Sequence, residues 1–561
     1  MGFQGNVIVL LFGSLCIYLT FTLVKVLYKL WWTPIRMQNF MASQGIRGPS
    51  YRFIHGSTRE VMAMKKEAMA KPMTLSHNIF PKVLPQIYTW INTYGRNYLS
   101  WYGPKAHFVV SEPELVKEIL NNKDRSYPKG DVPAYFRLLL GNGITTSEGE
   151  KWTKHRKLST YAFNAENLKG MIPEMIASVE MMLERWKQNE GREIEVYDEF
   201  RLLTSEIISR TAFGSSYLEG KNIFDMLTKL SLIINTNLYK LRLPGISKFW
   251  RTRDEIESEN LVKGIRNSVM EIIKKREEKV KTGEAEGFGN DFLGVLLNSY
   301  HDEDEKKRIS IEDVVDECKT FYIAGQESTN SLLSWTILLL AIHSDWQEEA
   351  RKEVSMIINE TLRLYPPVLG LIRKVEREVQ IGQLILPANM NVYIANVALQ
   401  HDPETWGDDV HLFKPERFSG GVAKATNNNP ASFFPFGIGP RTCVGLNFAT
   451  AEAKITLSMI LQKYFFTLSP TYIHSPYEAV TLRPRNGVQI KEIANNKDGN
   501  YLKAGPRPYI KKLFPDLKYF KTQDDIEAEK LDQSIRNSII KMIKKRQEAM
   551  TGGMDGYEVN F

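Results

Sequence analysis

Cysteine is scarce in this chain. Only Cys16, Cys318 and Cys443 occur in 561 residues, so no disulfide framework staples it and each thiol needs its own explanation. Acidic residues are missing from the first 59 positions, Glu60 being the first. No Gly/Ser/Pro-rich stretch interrupts the chain between Gly48 and about Ile490, which speaks against domains strung on flexible linkers. Blocks of like charge are missing too: 73 Lys and Arg stand against 65 Asp and Glu, interspersed, with the basic runs inside amphipathic patterns. The net charge of +8 therefore describes a mildly basic surface suited to acidic lipids or an acidic partner, and nucleic acid is not expected. A composition of 43% hydrophobic and 25% charged residues excludes disordered, collagenous and coiled-coil chains.

One long apolar run is present, at the start. Val7 to Val24 is uncharged over 18 residues, and Val26, Leu27, Leu30, Trp31 and Trp32 extend it to spanning length, with the tryptophans where an interfacial belt belongs. A cleaved signal peptide is the alternative, but the run is long for its apolar core, no basic residue precedes it, and no small-residue cleavage site follows. Lys25, Lys29, Arg36 and Arg47 come next, and the positive-inside bias places the rest of the chain in the cytosol. Residues 1–32 are thus expected to form a single-pass membrane anchor, with Cys16 packed inside it. Residues 33–50, with Thr33-Pro34 and Gly48-Pro49, are expected to be a stiff basic hinge.

The remainder reads as one large mixed domain over 51–490, mainly α with small β-sheets (α+β). Amphipathic helices are expected near 112–122, 148–160, 166–188, 196–213, 254–278, 310–343 and 445–463, and short strands near 99–110, 378–397 and 478–490. The helix from Ser310 stands out. Ser310 with Asp313 makes a capping box, and the chain then runs to His343 without proline, roughly 50 Å of helix crossing the core. Its centre carries Ala324-Gly325-Gln326-Glu327-Ser328-Thr329 between strongly apolar flanks, where propensity and burial would both prefer Leu or Ala. A solvent-facing polar turn is the bland account. A site is the sharper one: the glycine lets something large approach the backbone, hydroxyls bond to the i−4 carbonyl, and a buried acid relays protons.

The third cysteine carries the strongest signal. Ser432 to Gly445 (SFFPFGIGPRTCVG) is a glycine-rich loop delivering one thiol just before the helix Leu446 to Leu461. Backbone N–H groups and the helix N-terminus are expected to lower its pKa. Cysteine hydrolysis needs a paired histidine, and neither His401 nor His411 is marked as one; zinc needs further Cys or His at short spacing, which are absent. One thiolate with glycines clearing flat space fits haem iron.

In its motifs the chain resembles the cytochrome P-450 superfamily. Phe436-x-x-Gly439-x-Arg441-x-Cys443-x-Gly445 matches the haem loop, Ala324-Gly325-x-Glu327-Ser328-Thr329 the oxygen-activation motif, and Glu360-Thr361-Leu362-Arg363 and Pro415-Glu416-Arg417-Phe418 follow in the family's order. Gly45-Ile46-Arg47-Gly48-Pro49, Ile358 to Pro367 and Phe433 to Gly437 look like the plant secologanin-synthase-type (seventy-two clan) branch, which oxidises terpenoids and related hormones. The resemblance spans roughly Met1 to Ile490. It implies haem b held by Cys443, with Phe436 packing beside the sulfur and Gly439 and Gly445 giving clearance. Trp152, Arg156, Arg373 and Arg441 would meet the haem propionates, which is sound donor chemistry in its own right. Glu360, Arg363 and Arg417 would form a buried structural network, and Glu327, Ser328 and Thr329 would be catalytic.

The implied protein is an endoplasmic-reticulum monooxygenase of secondary metabolism, its catalytic domain cytosolic. It would oxidise a hydrophobic substrate with O2 and electrons from NADPH through a flavoprotein reductase. Its substrate pocket is expected from Val132–Ile144, 210–245, Phe321–Ala324 and Val368–Ile372. Three features depart from the family. Ser328 replaces the usual threonine after the acid, and lacking the methyl it is expected to couple oxygen use to product less tightly. Only 32 residues separate Glu327 from Glu360, where the family places a further helix and loop before Ser355. Residues 491–561 look like recycled sequence: 491–498 repeat 117–124, and 518–548 share 16 of 31 positions with 248–278. Three rivals accompany the monooxygenase reading: a haem-thiolate isomerase or dehydratase, an impaired membrane haem protein from a fused or misjoined gene, and a non-haem scaffold.

Overall fold

In a computed structural model of the protein, residues 2–130, 132–189, 191–237 and 251–494 are described. The repeated sequence beyond 494, and residues 238–245 of the expected pocket, lie outside them.

The apolar start forms helix α1 (Gly2–Leu27), continued by a π turn over Tyr28–Trp32 and then by α2 (Thr33–Ser43). From Leu10 onward its large side chains are exposed, as a membrane-spanning helix requires. The expected hinge is largely helix. Pro34 lies inside helical backbone that runs unbroken from α1 through the π turn into α2, and its missing N–H frees the Leu30 carbonyl, the i−4 acceptor. The junction is also held from the side: the Tyr51 hydroxyl donates to the Leu30 carbonyl at 2.5 Å, Trp31 meets Phe53 edge-on, and Pro34 and Met41 are buried.

The principal helices of the globule are α3 (Gly149–Ala162), α4 (Ala165–Gln188), α5 (Val196–Phe213), α6 (Arg253–Lys281), α7 (Ile311–Ile342), α8 (Trp346–Lys352), α9 (Ser355–Leu364) and α10 (Leu446–Lys463). Helix α7 is the axis of the fold, buried along nearly its whole length, with α5, α9 and α10 packed on it. It opens with the expected box: the Asp313 N–H donates to Ser310 Oγ at 3.1 Å and the Ser310 N–H to Asp313 Oδ2 at 3.0 Å. Thr58–Ala70, Pro85–Tyr94, Tyr217–Asn237 and Phe292–Tyr300 are further helices whose patterns were not recognised in the sequence.

Among the described residues the strands, in chain order, are β1 (Asn97–Tyr102), β2 (Lys105–Val110), β3 (Glu193–Glu195), β4 (Leu371–Lys374), β5 (Val379–Ile381), β6 (Leu384–Leu386), β7 (Asn391–Ile394), β8 (Tyr464–Leu468), β9 (Pro476–Glu478), β10 (Leu482–Pro484) and β11 (Gln489–Ala494). They make one four-stranded sheet, β1-β2-β7-β4, and three smaller ones. Strand β11 pairs with β8 as far as Ala494 opposite Tyr464, so regular structure runs four residues past the expected domain end at 490.

The shortened segment before α9 closes cleanly. Glu353 and Val354 alone join α8 to α9; Val354 is buried, and Glu353 Oε1 accepts the Ser355 N–H at 2.7 Å in place of a cap.

Candidate active site

Cys443 lies between a 3-10 turn, Gly439–Arg441, and the start of α10. Its N–H donates to the Phe436 carbonyl at 2.8 Å, which folds the loop back on itself. Gly439 has φ 74°, and a side chain there would strike the Leu120 carbonyl at 2.3 Å. That glycine therefore serves a close backbone contact, where clearance for a cofactor had been expected. At Gly445 the nearest atom to an added methyl is Cys443 Sγ, at 3.9 Å. The thiol is solvent-accessible in a protein-lined recess, and burial pushes its pKa up, with the Gly445 N–H and the Arg156 charge pulling the other way. The expected lowering by the helix N-terminus is thus outweighed by desolvation. Metal coordination reverses that balance, because a thiol binding a metal gives up its proton.

Four cations gather beside the loop. Arg441 stacks on the Trp152 ring with Cζ 4.1 Å from its centroid, donates to the Ser147 carbonyl and pairs with Glu148. Arg156, one turn past Trp152 on α3, donates to the Thr442 carbonyl at 2.5 Å. Arg373 on β4 is 5% exposed, and among the described residues its guanidinium bonds only the Ile372 carbonyl. Lys129 bridges to Arg373 through the backbone. Burial, reinforced by the neighbouring cations, pushes Arg373 down to about 10 and Lys129 down to about 8. Sequence reasoning missed Lys129, which lies in a loop without a pattern, and Glu148, the residue that opens α3. It also missed His155, whose buried Nδ1 lies 2.5 Å from buried Glu317 Oε1 and fixes α3, with Trp152 and Arg156, against α7.

The centre of α7 mixes exposed, half-buried and buried residues. Ala324 is exposed in the middle of an otherwise buried helix, so open space borders it there. Half-buried Ser328, one turn on, donates Oγ to the Ala324 carbonyl at 2.8 Å, the expected i−4 bond. What approaches the backbone at Gly325 is Ile208 of α5, 2.8 Å from an added methyl. Glu327 turns inward and pairs with Arg483 of β10, Oε1 to Nη2 at 2.6 Å, with Nε donating to Oε2 at 3.0 Å and Thr481 Oγ1 at 3.3 Å. Thr329 is buried against Glu452 of α10, whose own pKa burial raises well above the usual carboxylate value. Of the three expected to act together, Glu327 and Thr329 are buried against partners from distant segments, and Ser328 is the half-buried one. Arg483 was legible only as a lone cation in the apolar run Ala479–Pro484.

Glu360, Arg363 and Arg417 do come together. Glu360 and Arg363 are fully buried and joined twice, at 2.8 and 2.7 Å; Arg363 also donates to the Gln400 and Val410 carbonyls. Arg417 Nε lies 3.6 Å from Glu360 Oε1, and its Nη atoms bond the Trp406 and Asp409 carbonyls.

A groove of about 1740 Å³ opens beside Trp152, Arg373 and Arg441, lined by ten Lys and Arg against four Asp and Glu. None of the segments expected to form the substrate pocket lines it, so this is a basic surface groove at the edge of the cation cluster.

The donor set fits haem. One accessible thiol is free to ligate an iron, and a crowd of half-compensated cations beside it calls for more anion than Glu148 supplies, which two propionates would provide.

The family profile described as "Cytochrome P450" matches residues 82–492. The ginseng (Panax ginseng) protein "Cytochrome P450 CYP749A22" is 58% identical over 502 residues, covering 86% of this chain and 96% of that protein. "Secologanin synthase 1" of Catharanthus roseus is 38% identical over 496 residues, covering 83% and 94%. The solved structure of retinoic acid bound cyanobacterial CYP120A1 superposes with a TM-score of 0.62 at 25% identity, over 72% of this chain and 93% of that one. Such relatives do not favour the isomerase, impaired or scaffold readings. A thiolate loop, its cation edge, an N-terminal apolar helix and a match across most of the chain converge: the chain belongs to the cytochrome P450 family, as a membrane-anchored monooxygenase working with haem iron, a redox partner and a hydrophobic substrate.

Proposed function

We propose that this monooxygenase oxidises a hydrophobic plant metabolite of the terpenoid or hormone class at the endoplasmic-reticulum membrane, with its catalytic domain in the cytosol and electrons from an NADPH-dependent flavoprotein reductase. When bound, haem supplies the oxygen activation; the chain's residues hold it, orient it and manage protons. Cys443 ligates the iron. Arg373, Arg441, Arg156 and the Trp152 indole hold the propionates, joined by Lys129. Phe436 packs beside the sulfur, and Gly439 and Gly445 shape the loop that presents it. The Glu360–Arg363–Arg417 network fixes the segments beneath that loop. Ser328 is the hydroxyl nearest the open side of α7, with Glu327 and Thr329 behind it.

The observation that carries this reading is the cation cluster around Trp152, Arg373 and Arg441 next to a single accessible thiol. The basic groove that continues outward from it suits an acidic reductase surface. The terpenoid class rests on the likeness to secologanin synthase. Expression in microsomes tests the core of it: the ferrous carbon-monoxide complex is expected to show the red-shifted Soret band of a thiolate haem, and Cys443→Ser to lose it. Product analysis against a panel of terpenoids and steroids, with added reductase and NADPH, tests the substrate class; turnover of none would reject it.

A further inference from the structure

A line of hydrogen bonds runs inward from the end of α7 to a buried phenol. Tyr365, directly after α9, is fully enclosed, and its hydroxyl meets His77 Nδ1 at 2.9 Å. His77 Nε2 meets His343 Nε2 at 3.3 Å with the ring centroids 5.6 Å apart, so the two nitrogens point at one another. His343, directly after α7, is half-buried and reaches solvent. On its face the phenol carries the buried Trp335 indole of α7, stacked with centroids 4.5 Å and planes 17° apart.

The hydrogens along this line follow from the partners present. Among the described residues the Tyr365 hydroxyl has no acceptor but His77, and a buried O–H without one is costly. Tyr365 therefore donates to Nδ1, which leaves the single hydrogen of a neutral His77 on Nε2, donated to His343. Its surroundings impose that neutral state: burial, then His343, His474, Arg363 and His411, push His77 down to about 3. Burial likewise raises Tyr365 well above an ordinary phenol. Neither group ionises where it stands, so at rest the relay does no acid–base work. Removing an electron from the phenol changes this, because the oxidised phenol is a strong acid and its proton has a path outward. The charge then comes to rest at His343, where burial lowers the imidazole's pKa but the Asp345 carboxylate raises it. A second phenol–imidazole contact, Tyr472 to His474 Nδ1 at 2.7 Å, lies alongside, but among the described residues only the imidazole on Tyr365 leads on to another.

We propose that Tyr365 is a redox-active residue, which yields one electron to a strong one-electron oxidant while its proton moves to His77 and the Nε2 proton of His77 moves to His343. The O–H bond of Tyr365 breaks, the oxidant is reduced by one electron, a neutral phenoxyl radical remains, and the positive charge ends on His343. The stacked Trp335 ring offers the electron a way out toward the centre of α7, Ala324 lying about 16 Å back along the helix. The oxidants in question are the equivalents that a monooxygenase generates and fails to pass to substrate, so Tyr365 serves as their sink. That source rests on the monooxygenase reading; the relay is a property of the folded chain and is tested separately.

Two oxidants test it on the full-length haem protein in detergent, without substrate: cumene hydroperoxide, which acts through bound haem, and photogenerated tris(bipyridine)ruthenium(III), which does not need it. With either, electron paramagnetic resonance of freeze-quenched samples is expected to show a tyrosyl component that Tyr365→Phe and His77→Gln lose and Tyr472→Phe keeps. Peptide mass spectrometry of the peroxide-treated wild type, which requires no variant to fold, is expected to find Tyr365 oxygenated ahead of exposed tyrosines such as Tyr161, 58% exposed. A signal unchanged in Tyr365→Phe, or lost there but kept in His77→Gln, overturns the proposal. So does a signal lost in Tyr472→Phe alone, or oxygenation confined to exposed tyrosines. A protein that shows the carbon-monoxide band yet gives the Tyr365 component only with ruthenium also overturns it, since the sink would then have no source. The component with ruthenium and no band in the wild type would leave Tyr365 assigned and reject the monooxygenase reading instead.

Discussion

Glu360 and Arg363 stand one turn apart, and on an exposed helix such a pair would contribute a few tenths of a kcal/mol. Here both are enclosed, and Arg363 also satisfies the Gln400 and Val410 carbonyls. Removing one partner strands a buried charge at a cost of about 3–5 kcal/mol. Glu360→Ala is therefore expected to abolish haem retention, read as loss of the carbon-monoxide band. Arg363→Lys keeps the charge but loses the planar fork, and is expected to retain a weakened band. At the oxygen side, Ser328 already spends its hydroxyl hydrogen on the Ala324 carbonyl. Ser328→Thr, whose methyl restricts the rotamer, is expected to lower peroxide release per NADPH; an unchanged leak would show that the serine is no source of uncoupling.

The elements carry a different lesson, about contacts that pattern does not reveal. Helix α7 was legible because its cap, its apolar flanks and its odd centre all lie within one continuous stretch. The partner each central residue takes was not, because Glu327 is claimed by Arg483, 156 positions later, and Thr329 by Glu452. Pro34 was misread for a similar reason: proline costs a helix one hydrogen bond, and here the freed Leu30 carbonyl is taken by Tyr51, a residue from outside the helix. The link between α8 and α9 shows how little chain is enough when its one apolar side chain is buried. Val354→Asp would place an unpaired charge at a position 1% exposed and is expected to leave no soluble haem protein, whereas Val354→Ile, a modest increase in volume, is expected to keep the band. Gel filtration and the carbon-monoxide spectrum check both.

For the whole molecule, the loop around Cys443 stood out as one continuous motif, whereas the gathering of Trp152, Arg373 and Arg441 was expected only through the family's likeness, since they come from three distant segments. Lys129 escaped because nothing in the local sequence marks a loop lysine for burial. The same cluster makes a prediction about pH. Lys129, at about 8 in the folded chain against an ordinary value above 10, binds its proton less readily folded than unfolded. Its penalty is therefore full below about pH 8 and is relieved as pH rises past it. Haem-free protein is expected to gain stability between pH 7 and 9 relative to haem-loaded protein, in which carboxylates would neutralise the cations. Lys129→Gln is expected to remove the difference. Lys65, lowered to about 7 by burial, contributes alike to both forms and cancels.

The stiff join between α1 and α2 has a mechanical meaning as well. Spanning helices lean by about 20° on average and lean further when the bilayer thins. A tether would absorb that lean, but the π turn, the Tyr51–Leu30 bond and buried Pro34 and Met41 pass it on to the globule. Bilayer thickness thereby becomes a lever on the globule, tilting it against the membrane surface as the spanning helix leans.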